Sequence, residues 1–353
     1  MFLSQLLTDL NQSLFFPLLL ALTVILFILW VIKIYIINGR SVHPNLLQSC
    51  HMTNKICIIT GASVGALGYE AAKQLAKLGA TVVLIVYNMQ IGNDVTAKLK
   101  DELGEVKVEY LVADLSELEQ VRQVACKIRS KFGRVDILIN CAATMMCPHA
   151  LTRDGIEIQF AVNYLSHFLL TMLLKDLVMK CQGRVINFSS NAFKYLNQSE
   201  NDLFCSFTEA SVRDNGRDVA SPFSHYARSK LAIQLSTKHL SQMKFTENGN
   251  SLNIYSLHPG ATRTTFVLPF IKNHPFIHKY VYGPLSYYFM RSPFQGIQTC
   301  LHLTLSPLEE LENGEFYVDC QVEKKEQPHC EKKVQKQLFE TSMNLCSSIL
   351  QVV

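Results

Sequence analysis

The longest apolar stretch of the chain lies near its N-terminus, at residues 14–37, after a short tail at 1–13. The part from Leu14 to Ile32 contains no charged side chain, and Thr23 is its most polar member. A helix of that length rises about 28 Å, close to the roughly 30 Å of hydrocarbon in a bilayer. The pattern therefore predicts a single transmembrane helix that anchors the protein in a lipid bilayer.

The polar residues on either side of this stretch favour an uncleaved anchor over a cleaved signal peptide. A signal peptide has a basic N-terminal region and a shorter apolar core, whereas here Asp9 precedes the run, with no Lys or Arg. Lys33, Arg40 and Lys55 lie on the C-terminal side. Positive charges mark the cytoplasmic end of membrane helices. We therefore expect the rest of the chain in the cytoplasm, on the endoplasmic reticulum.

After a polar linker at residues 38–53, short apolar runs alternate with amphipathic segments. The runs that predict buried strands are 55–60, 81–86, 110–114, 135–140, 184–190 and 252–257. Buried strands that alternate with helices form parallel sheets with helices on both faces. The pattern therefore predicts an α/β fold, a Rossmann-type doubly wound parallel sheet over residues 54–320, followed by a C-terminal extension at 321–353.

A glycine-rich loop joins the first predicted strand to a helix predicted at 69–78. It occupies residues 61–68 and reads Gly-Ala-Ser-Val-Gly-Ala-Leu-Gly. Such a loop brings backbone N–H groups and the positive end of a helix against a pyrophosphate. We therefore predict a dinucleotide site whose loop contacts come from Gly61, Ser63, Gly65 and Gly68.

Charge and cysteine usage exclude several other classes of function. The net charge is only +4 and the short basic pairs near the C-terminus stand beside acids, so no nucleic-acid partner is expected. The 11 cysteines include no C-x-x-C pair, which favours free thiols over a disulfide framework. Cys141 and Cys147 suggest a metal site, but no cluster of His and Cys residues completes a ligand set around them, so no metal is expected.

Polar residues follow these strands in an order that resembles the short-chain dehydrogenase/reductase family. The family's loop, T-G-x-x-x-G-x-G, is close to residues 60–68, where Leu67 either occupies a glycine position or marks one extra residue. Its Y-x-x-x-K pair stands at Tyr226 and Lys230, after a helical Asn and a strand that ends in Ser189-Ser190. The resemblance implies a catalytic set of Asn163, Ser190, Tyr226 and Lys230, with Ser189 as the alternative serine.

The same resemblance implies further contacts with the cofactor. Asp114-Leu115 matches the family's pair beside the adenine, although Asp114 is also a plausible helix N-cap. Asn140 begins the segment that the family writes N-N-A-G and this chain writes Asn-Cys-Ala-Ala. The cofactor-binding residues implied outside the glycine loop are Asn88, Asp114, Leu115, Asn140, Tyr226, Lys230, Pro259 and Thr264.

The spacing of Tyr226 and Lys230 has a chemical meaning, because residues four apart lie on one face of a helix. A free tyrosine has a pKa near 10, too high for a base at neutral pH. A nearby ammonium and a positively charged nicotinamide favour the phenolate and lower that pKa. Tyr226 would then exchange a proton with the substrate oxygen, Ser190 would hydrogen bond to that oxygen, and Lys230 would hold the nicotinamide ribose.

The cofactor preference is read from the end of the second predicted strand. An acidic residue there binds the ribose hydroxyls of NAD, and a basic residue accepts the 2′-phosphate of NADP. This chain has Tyr87-Asn88, neither acid nor base. Since no carboxylate repels a phosphate at this point, NADP(H) is favoured over NAD(H).

The chain resembles the retinol dehydrogenase-like branch in its N-terminal anchor, at Met145-Met146, and at residues 152–155 and 163–170. This resemblance implies a lipophilic alcohol or aldehyde of retinoid, sterol or polyisoprenoid type. The aromatic segment 265–295 is predicted to cover such a substrate, although core packing explains it equally well.

The polar insertion 191–224 is expected to be a surface excursion near the mouth of the site. A homo-oligomer is possible. The alternative function is a catalytically impaired membrane scaffold, or a regulatory nucleotide-binding protein, that retains the nucleotide fold. The departures from the family pattern at Leu67 and after Asn140 favour this alternative.

Overall fold

The computed structural model describes residues 2–196, 202, 205, 207–213, 221–245, 251–264, 282–324 and 332–351. The strands in these ranges are β1 (Ile56–Thr60), β2 (Thr81–Val86), β3 (Val108–Val112), β4 (Ile137–Asn140), β5 (Arg184–Phe188), β6 (Asn253–His258), β7 (Phe316–Val318) and β8 (Gln321–Val322). The α-helices are α1 (Phe2–Ile32), α2 (Pro44–Ser49), α3 (Leu67–Lys77), α4 (Met89–Leu103), α5 (Leu118–Lys131), α6 (Ile158–Phe160), α7 (Ser166–Met179), α8 (Glu209–Val212), α9 (Pro222–Gln242), α10 (Gly283–Phe289), α11 (Pro293–Gly296), α12 (Gln298–Leu305), α13 (Lys332–Leu345) and α14 (Ser347–Leu350). Shorter π and 3-10 segments lie at Lys33–Ile37, Ala161–Leu165, Asn191–Tyr195 and Leu308–Glu310.

The strands form one sheet in the order β3-β2-β1-β4-β5-β6-β7-β8. Strands β1 to β7 are parallel, and β8 runs antiparallel to β7. In the register, Ile58 of β1 pairs with Val83 on one side and Leu138 on the other. The predicted Rossmann-type doubly wound parallel sheet is therefore confirmed.

Helices cover both faces of the sheet because each strand buries side chains on both sides. Ile58 belongs to the core that the sheet shares with α5, α7, α9 and α13. Its neighbour Ile59 belongs to the core shared with α3, α4 and α12. The strand order changes direction between β1 and β4, and in open α/β sheets ligands bind beyond the carboxyl ends of the strands at such a point.

The N-terminal helix stands apart from these cores. Among the described residues, one helix, Pro17–Ile37, is long and apolar enough to cross a membrane. Its large apolar side chains, including Leu18, Phe27 and Trp30, are exposed. The helix and its π-helical end coincide with most of the span predicted at 14–37.

The C-terminal residues, predicted as an extension, pack against the α/β domain. Strands β7 and β8 were not predicted from the hydrophobic pattern, and β8 lies inside the range 321–353. Helix α13 packs on α9 and buries Val334 and Leu338 in the core. The Tyr164 and Ser342 hydroxyl groups are 2.8 Å apart. The C-terminal helix therefore supports the helix that carries Tyr226.

The insertion predicted at 191–224 is only partly described. Within its described residues, Phe193 and Phe207 are fully buried in the core. The prediction of a polar surface excursion is therefore wrong for this part, because the segment also supplies aromatic side chains to the core. Residues 265–281 of the predicted aromatic segment lie outside the described residues.

Candidate active site

A cavity of about 840 Å³ lies at the carboxyl ends of the central strands. Its lining runs from the turns after β2 and β3, past the glycine loop, to the ends of β5 and β6 and the start of α9. Predicted site residues that line it are Gly61, Ser63, Asp114, Leu115, Ser190, Tyr226, Lys230, Pro259 and Thr264. The fold thus brings residues from both halves of the sheet around one space.

Three predicted catalytic residues, Ser190, Tyr226 and Lys230, lie together in the lining of this cavity. Helix α9 begins with Ser221 as its N-cap and Pro222 in its first turn, which fixes its start just before Tyr226. The Tyr226 and Ser190 side chains are hydrogen bonded. The Lys230 ammonium donates to the Phe188 carbonyl oxygen at 2.8 Å and lies 5.6 Å from the centre of the Tyr226 ring.

Burial dominates the acid–base properties of this group. It raises the pKa of the Tyr226 hydroxyl to about 12, against the opposing effect of the Ser190 hydrogen bond. It also lowers the pKa of the Lys230 ammonium to about 8, against the opposing effect of Cys141. The expected lowering of the tyrosine pKa is therefore wrong for the protein groups alone, because desolvation outweighs them. A buried tyrosine with a raised pKa is protonated at neutral pH and is thus a proton donor.

The two adjacent serines at the end of β5 have different surroundings. Ser189 Oγ donates to the Lys230 carbonyl oxygen at 2.7 Å and is buried. Ser190 instead hydrogen bonds to Tyr226 and is the N-cap of the Asn191–Tyr195 turn. The geometry therefore favours Ser190 over Ser189 as the serine that faces a reacting group.

We expect Ser190→Ala to lower kcat/KM about 100-fold, because a positioned donor to the reacting oxygen contributes about that much. Ser189→Ala is the matched control. It removes one buried hydroxyl that bonds to the backbone, so we expect roughly 1 kcal/mol of lost stability and less than about a tenfold effect on kcat/KM. Steady-state kinetics and thermal unfolding of both variants measure this. An equal loss of activity in the two variants would contradict the assignment.

The glycine loop resolves the ambiguity at Leu67. A Cβ atom on Gly68 would lie 2.6 Å from the Gly61 carbonyl oxygen, so Gly68 is the glycine that lets α3 pack against the strand end. Leu67 is the first residue of α3, and its side chain contacts Gly296, where a Cβ atom would lie 2.8 Å from it. The loop therefore carries one extra residue rather than a leucine in a glycine position.

Gly61 shows that the loop leaves backbone room for a cofactor. Its φ of +72° is in the left-handed region, and a Cβ atom there would lie 2.5 Å from Ala142 Cα. Gly65 also has a positive φ, of +81°. Both conformations favour glycine. Gly61 lines the cavity and leaves its backbone bare there, so the residues present fit a bound dinucleotide.

Asn163 lies outside the lining of the cavity, in the π-helical segment between α6 and α7. Its amide nitrogen donates to the Thr144 carbonyl oxygen and Ser229 Oγ, both at 2.9 Å. Its amide oxygen accepts from Thr144 N at 2.7 Å. These contacts tie α9 to the cavity wall, and the relay-water role expected of Asn163 stays a prediction.

Two predicted cofactor residues, Asn88 and Asn140, are not among the residues that line the cavity. Asn88 is the N-cap of α4 and accepts from Ile91 N at 2.9 Å, while its neighbour Tyr87 lines the cavity. Asn140 donates to Asn187 Oδ1 at 2.8 Å and thus joins the ends of β4 and β5. Both side chains therefore support the ends of the strands, and their contribution to cofactor binding stays a prediction.

Asp114 lines the cavity, as predicted, but it is not a helix N-cap. Its carboxylate accepts from Ser116 N at 2.8 Å in the turn before α5. The N-cap residue of α5 is Glu117, and the Leu118 N–H donates to the Asp154 carboxylate at 3.0 Å. Capping of α5, the alternative role considered for Asp114, is therefore not the role of this residue.

Comparison with known proteins identifies the family to which this chain belongs. The profile described as short chain dehydrogenase matches residues 55–200. Retinol dehydrogenase 13 of Mus musculus is 34% identical over 299 residues, which cover 82% of this chain and 83% of that protein. The human polyprenol dehydrogenase is 28% identical over 336 residues, covering 89% of this chain and 94% of the relative. The chain belongs to the short-chain dehydrogenase/reductase family.

Solved structures agree with this assignment at the level of the fold. A crystal structure of an uncharacterized protein from Mycobacterium paratuberculosis has a TM-score of 0.64 and 25% identity, and covers 88% of this chain and 98% of its own. A Shigella flexneri short chain dehydrogenase complexed with NADP has a TM-score of 0.55 and 22% identity, covering 76% and 98%. This short-chain dehydrogenase/reductase is an oxidoreductase that uses NAD(P) and acts on alcohol groups.

His167 is a residue of the short-chain dehydrogenase that the sequence analysis did not single out. Its Nδ1 lies 3.0 Å from the Asn163 carbonyl oxygen, which only accepts, so Nδ1 carries the proton. Its Nε2 therefore accepts from the Thr60 hydroxyl at 2.9 Å. Thr60 Oγ1 in turn accepts from the N–H groups of Cys141 and Ala142 at 2.9 and 3.0 Å. A neutral imidazole thus fixes the cavity wall next to the glycine loop.

We expect acid to destabilise the short-chain dehydrogenase through two histidines. Burial lowers the pKa of His167 and that of His258 to about 4, from an ordinary value of 6.5. A depressed pKa gives stability that is present above pH 6.5 and is lost as the pH falls toward 4, because the unfolded chain binds the proton first. Each histidine should contribute on the order of 2–3 kcal/mol to this loss.

The free energy of unfolding measured between pH 7 and pH 4 tests this expectation. His167→Gln should flatten the pH dependence, while the His258 contribution remains. An unchanged slope in the variant would show that His167 does not carry the effect.

His258 and Met290 also line the cavity without having been predicted. His258 is the last residue of β6, and its Nδ1 is buried with no hydrogen-bond partner in the described structure. Its position directly before Pro259 was the available signal. Met290 follows α10. Many residues of this segment are apolar, so the sequence does not distinguish those that line the cavity from those that pack in the core.

Proposed function

We propose that this chain is a membrane-anchored oxidoreductase that moves a hydride between NADP(H) and a lipophilic alcohol, aldehyde or ketone. The observation that carries the proposal is the buried Tyr226 hydroxyl, which faces the cavity beside Ser190 and Lys230. Chemistry on a carbonyl group needs a proton at its oxygen and a hydride at its carbon. The tyrosine supplies the first.

When bound, NADP(H) supplies or accepts the hydride at its nicotinamide ring. In the reducing direction, Tyr226 donates its proton to the substrate oxygen, and Ser190 donates a hydrogen bond to the same atom. Lys230 adds positive charge beside the phenolate that Tyr226 becomes, which offsets the desolvation that raises the pKa of Tyr226. In the oxidising direction, the same groups act in reverse.

The cofactor would lie along the wall from Tyr87 to Thr264. Gly61, Ser63 and Leu115 would meet its adenosine and pyrophosphate parts, and Pro259 and Thr264 its nicotinamide end. The end of β2 offers Tyr87 and Asn88 and thus no carboxylate to repel a 2′-phosphate. Two similar solved structures are complexes with NADP or NADPH. These observations favour NADP(H) over NAD(H).

The substrate class follows from the apolar side chains opposite the reactive group. Met145, Ile158, Val162 and Met290 line the cavity together with Tyr226. Apolar walls with few polar groups suit a greasy substrate. The relatives include retinol dehydrogenases and a polyprenol dehydrogenase. A retinoid or polyisoprenoid alcohol or aldehyde is therefore the proposed substrate class.

The anchor at 14–37 would hold the catalytic domain, residues 54–320, on the cytoplasmic face of the endoplasmic reticulum. Lys33 and Arg40 on the domain side support this orientation. Protease treatment of sealed microsomes tests it: digestion of the domain is expected, and protection of the domain would contradict the orientation.

Purified full-length protein in lipid vesicles, supplied with NADPH and either retinal or a long-chain isoprenoid aldehyde, tests the activity. We expect consumption of NADPH and formation of the alcohol. The absence of turnover with every lipophilic carbonyl compound and both cofactors would favour the non-catalytic scaffold.

We also expect NADPH to bind at least about tenfold more tightly than NADH, because one hydrogen bond to the charged 2′-phosphate is worth about 1.4 kcal/mol or more and the end of β2 has no carboxylate to oppose it. Titration of the nucleotide fluorescence measures both dissociation constants. Tighter binding of NADH would refute the preference.

A further inference from the structure

We propose that helix α10 and Phe294 of α11 form a lipid-contacting surface that places the mouth of the cavity against the bilayer. The surface, called here the lipid face, consists of Leu285, Tyr287, Phe289 and Phe294. The occupant is the phospholipid bilayer that holds the anchor. The inference rests on the proposed membrane anchoring and extends it from the N-terminal helix to the catalytic domain.

The pattern of burial along α10 is the reverse of that expected for a helix that faces water. Its polar Ser286 points inward, is buried and donates to the Gly283 carbonyl oxygen. Leu285, Tyr287 and Phe289 point outward and are 48–57% exposed, and Phe294 in α11 is 42% exposed. An exposed apolar patch of this kind marks a protein or membrane contact.

Contacts with the end of the anchor identify the membrane as the occupant. Helix α10 packs against the π-helical segment Lys33–Ile37, which ends the candidate membrane span. The Lys33 ammonium donates to the Met290 carbonyl oxygen, and Met290 lines the cavity. The lipid face is thus continuous with the anchor and adjacent to the cavity.

Arg291 fixes this arrangement. Its side chain is buried, with Nε donating to the Ile37 carbonyl oxygen at 2.7 Å and Nη1 lying 2.6 Å from the Asp319 carboxylate. Nη1 also reaches the Pro259 carbonyl oxygen at 3.3 Å, in the segment beside the cavity. One guanidinium group therefore joins the end of the anchor, the β7–β8 turn and the cavity wall.

Two glycines allow the chain to close around this guanidinium. A Cβ atom on Gly39 would lie 2.4 Å from Arg291 Nη2, and one on Gly260 would lie 2.5 Å from Arg291 Nε. Both glycines have positive φ, of +67° and +79°. The linker directly after the anchor is thus packed onto the catalytic domain, so α10 lies at the level at which the anchor leaves the membrane.

The chemistry of the lipid face suits the interfacial region of a bilayer. Tyr and Arg residues are favoured there because they combine apolar bodies with polar ends. The Arg263 guanidinium lies 5.6 Å from the centre of the Tyr287 ring. A substrate dissolved in the bilayer would therefore pass from lipid to the cavity beside Met290 without crossing water.

Quenching of a single indole by brominated phospholipids tests the proposal on the full-length chain in phosphatidylcholine vesicles. Trp30, the only tryptophan, is first replaced by Phe, and Phe289→Trp is then introduced. The control is Lys107→Trp, at an exposed position before β3, on the opposite edge of the sheet. We expect the indole at position 289 to lose at least about half its emission, and that at 107 to be unaffected.

Flotation with the vesicles separates failure of the anchor from failure of the lipid face. Protein that floats but shows no quenching at position 289, and none in Tyr287→Trp, would overturn the inference and leave the anchor intact. Protein that does not float would overturn both. The readout needs no turnover, so it is independent of the proposed catalytic activity.

Adding Arg291→Gln should reduce quenching at 289 at least about twofold, and unchanged quenching would contradict the role of Arg291.

Discussion

Replacement of Tyr226 by Phe is expected to lower kcat at least about 1000-fold, the largest effect of any single change at the site. Phenylalanine keeps the ring in its buried place beside Lys230, so packing is retained. It removes only the hydroxyl that hydrogen bonds to Ser190 and faces the cavity. The substrate oxygen then lacks the proton donor that the proposed mechanism assigns to it.

Tyr195→Phe provides the matched control for this prediction. Tyr195 is 77% exposed and lies outside the described lining of the cavity, so the same chemical change there should leave kcat within about twofold. Binding of NADPH should stay within about threefold in both variants, since neither hydroxyl is its main contact. Substantial turnover in Tyr226→Phe would show that another group supplies the proton.

Replacement of Gly61 by Ala is expected to weaken NADPH binding about 100-fold. The residue has a φ of +72°, and its new Cβ atom would lie 2.5 Å from Ala142 Cα, a backbone atom. The strain of that conformation costs roughly 1–3 kcal/mol, and relief of the contact would move the loop wall toward the cofactor. A fluorescence titration with NADPH measures the change.

Gly104→Ala is the control that separates backbone strain from the contact. Gly104 has a similar φ, of +75°, at the end of α4, but a Cβ atom there would meet nothing within 4 Å. We expect a loss of roughly 1 kcal/mol in stability and unchanged NADPH affinity. Unaltered affinity in Gly61→Ala would contradict the placement of the pyrophosphate at this loop.

The positions of the first six strands along the chain and the pairing of Tyr226 with Lys230 could be predicted because each rests on a local pattern. Apolar runs such as 55–60 and 81–86 have the composition and length that predict buried strands. Tyr226 and Lys230 lie four residues apart on one helix, so their proximity follows from helix geometry. The short strands β7 and β8 have only three and two residues, too few for a hydrophobic pattern.

Residues whose roles depend on distant partners could not be predicted. Asn163 seemed a candidate for the cavity, but its amide is used by Thr144 and by Ser229, which is 66 positions away. Arg291 contacts the Ile37 carbonyl oxygen across 254 positions. Such contacts depend on how elements pack in three dimensions, which a pattern along one strand or helix does not encode.

The pKa of Tyr226 shows a similar limit of local reasoning. The nearby Lys230 suggested a lowered pKa, whereas burial in the folded protein raises it to about 12. The same burial lowers the pKa of Lys230 to about 8. Desolvation depends on how completely the fold surrounds a group. The sequence indicates which charged residues lie near Tyr226, but it does not indicate how far the hydroxyl is removed from water.

Transfer of deuterium tests the central claim most directly. Full-length protein in vesicles is incubated with NADPH carrying deuterium at the transferable position of the nicotinamide and with a long-chain isoprenoid aldehyde, and the alcohol is analysed by mass spectrometry. We expect one deuterium on the carbinol carbon of each product molecule, and at least about 1000-fold less product with Tyr226→Phe. Absence of deuterated alcohol with every lipophilic aldehyde, or equal product from Tyr226→Phe, would contradict the account.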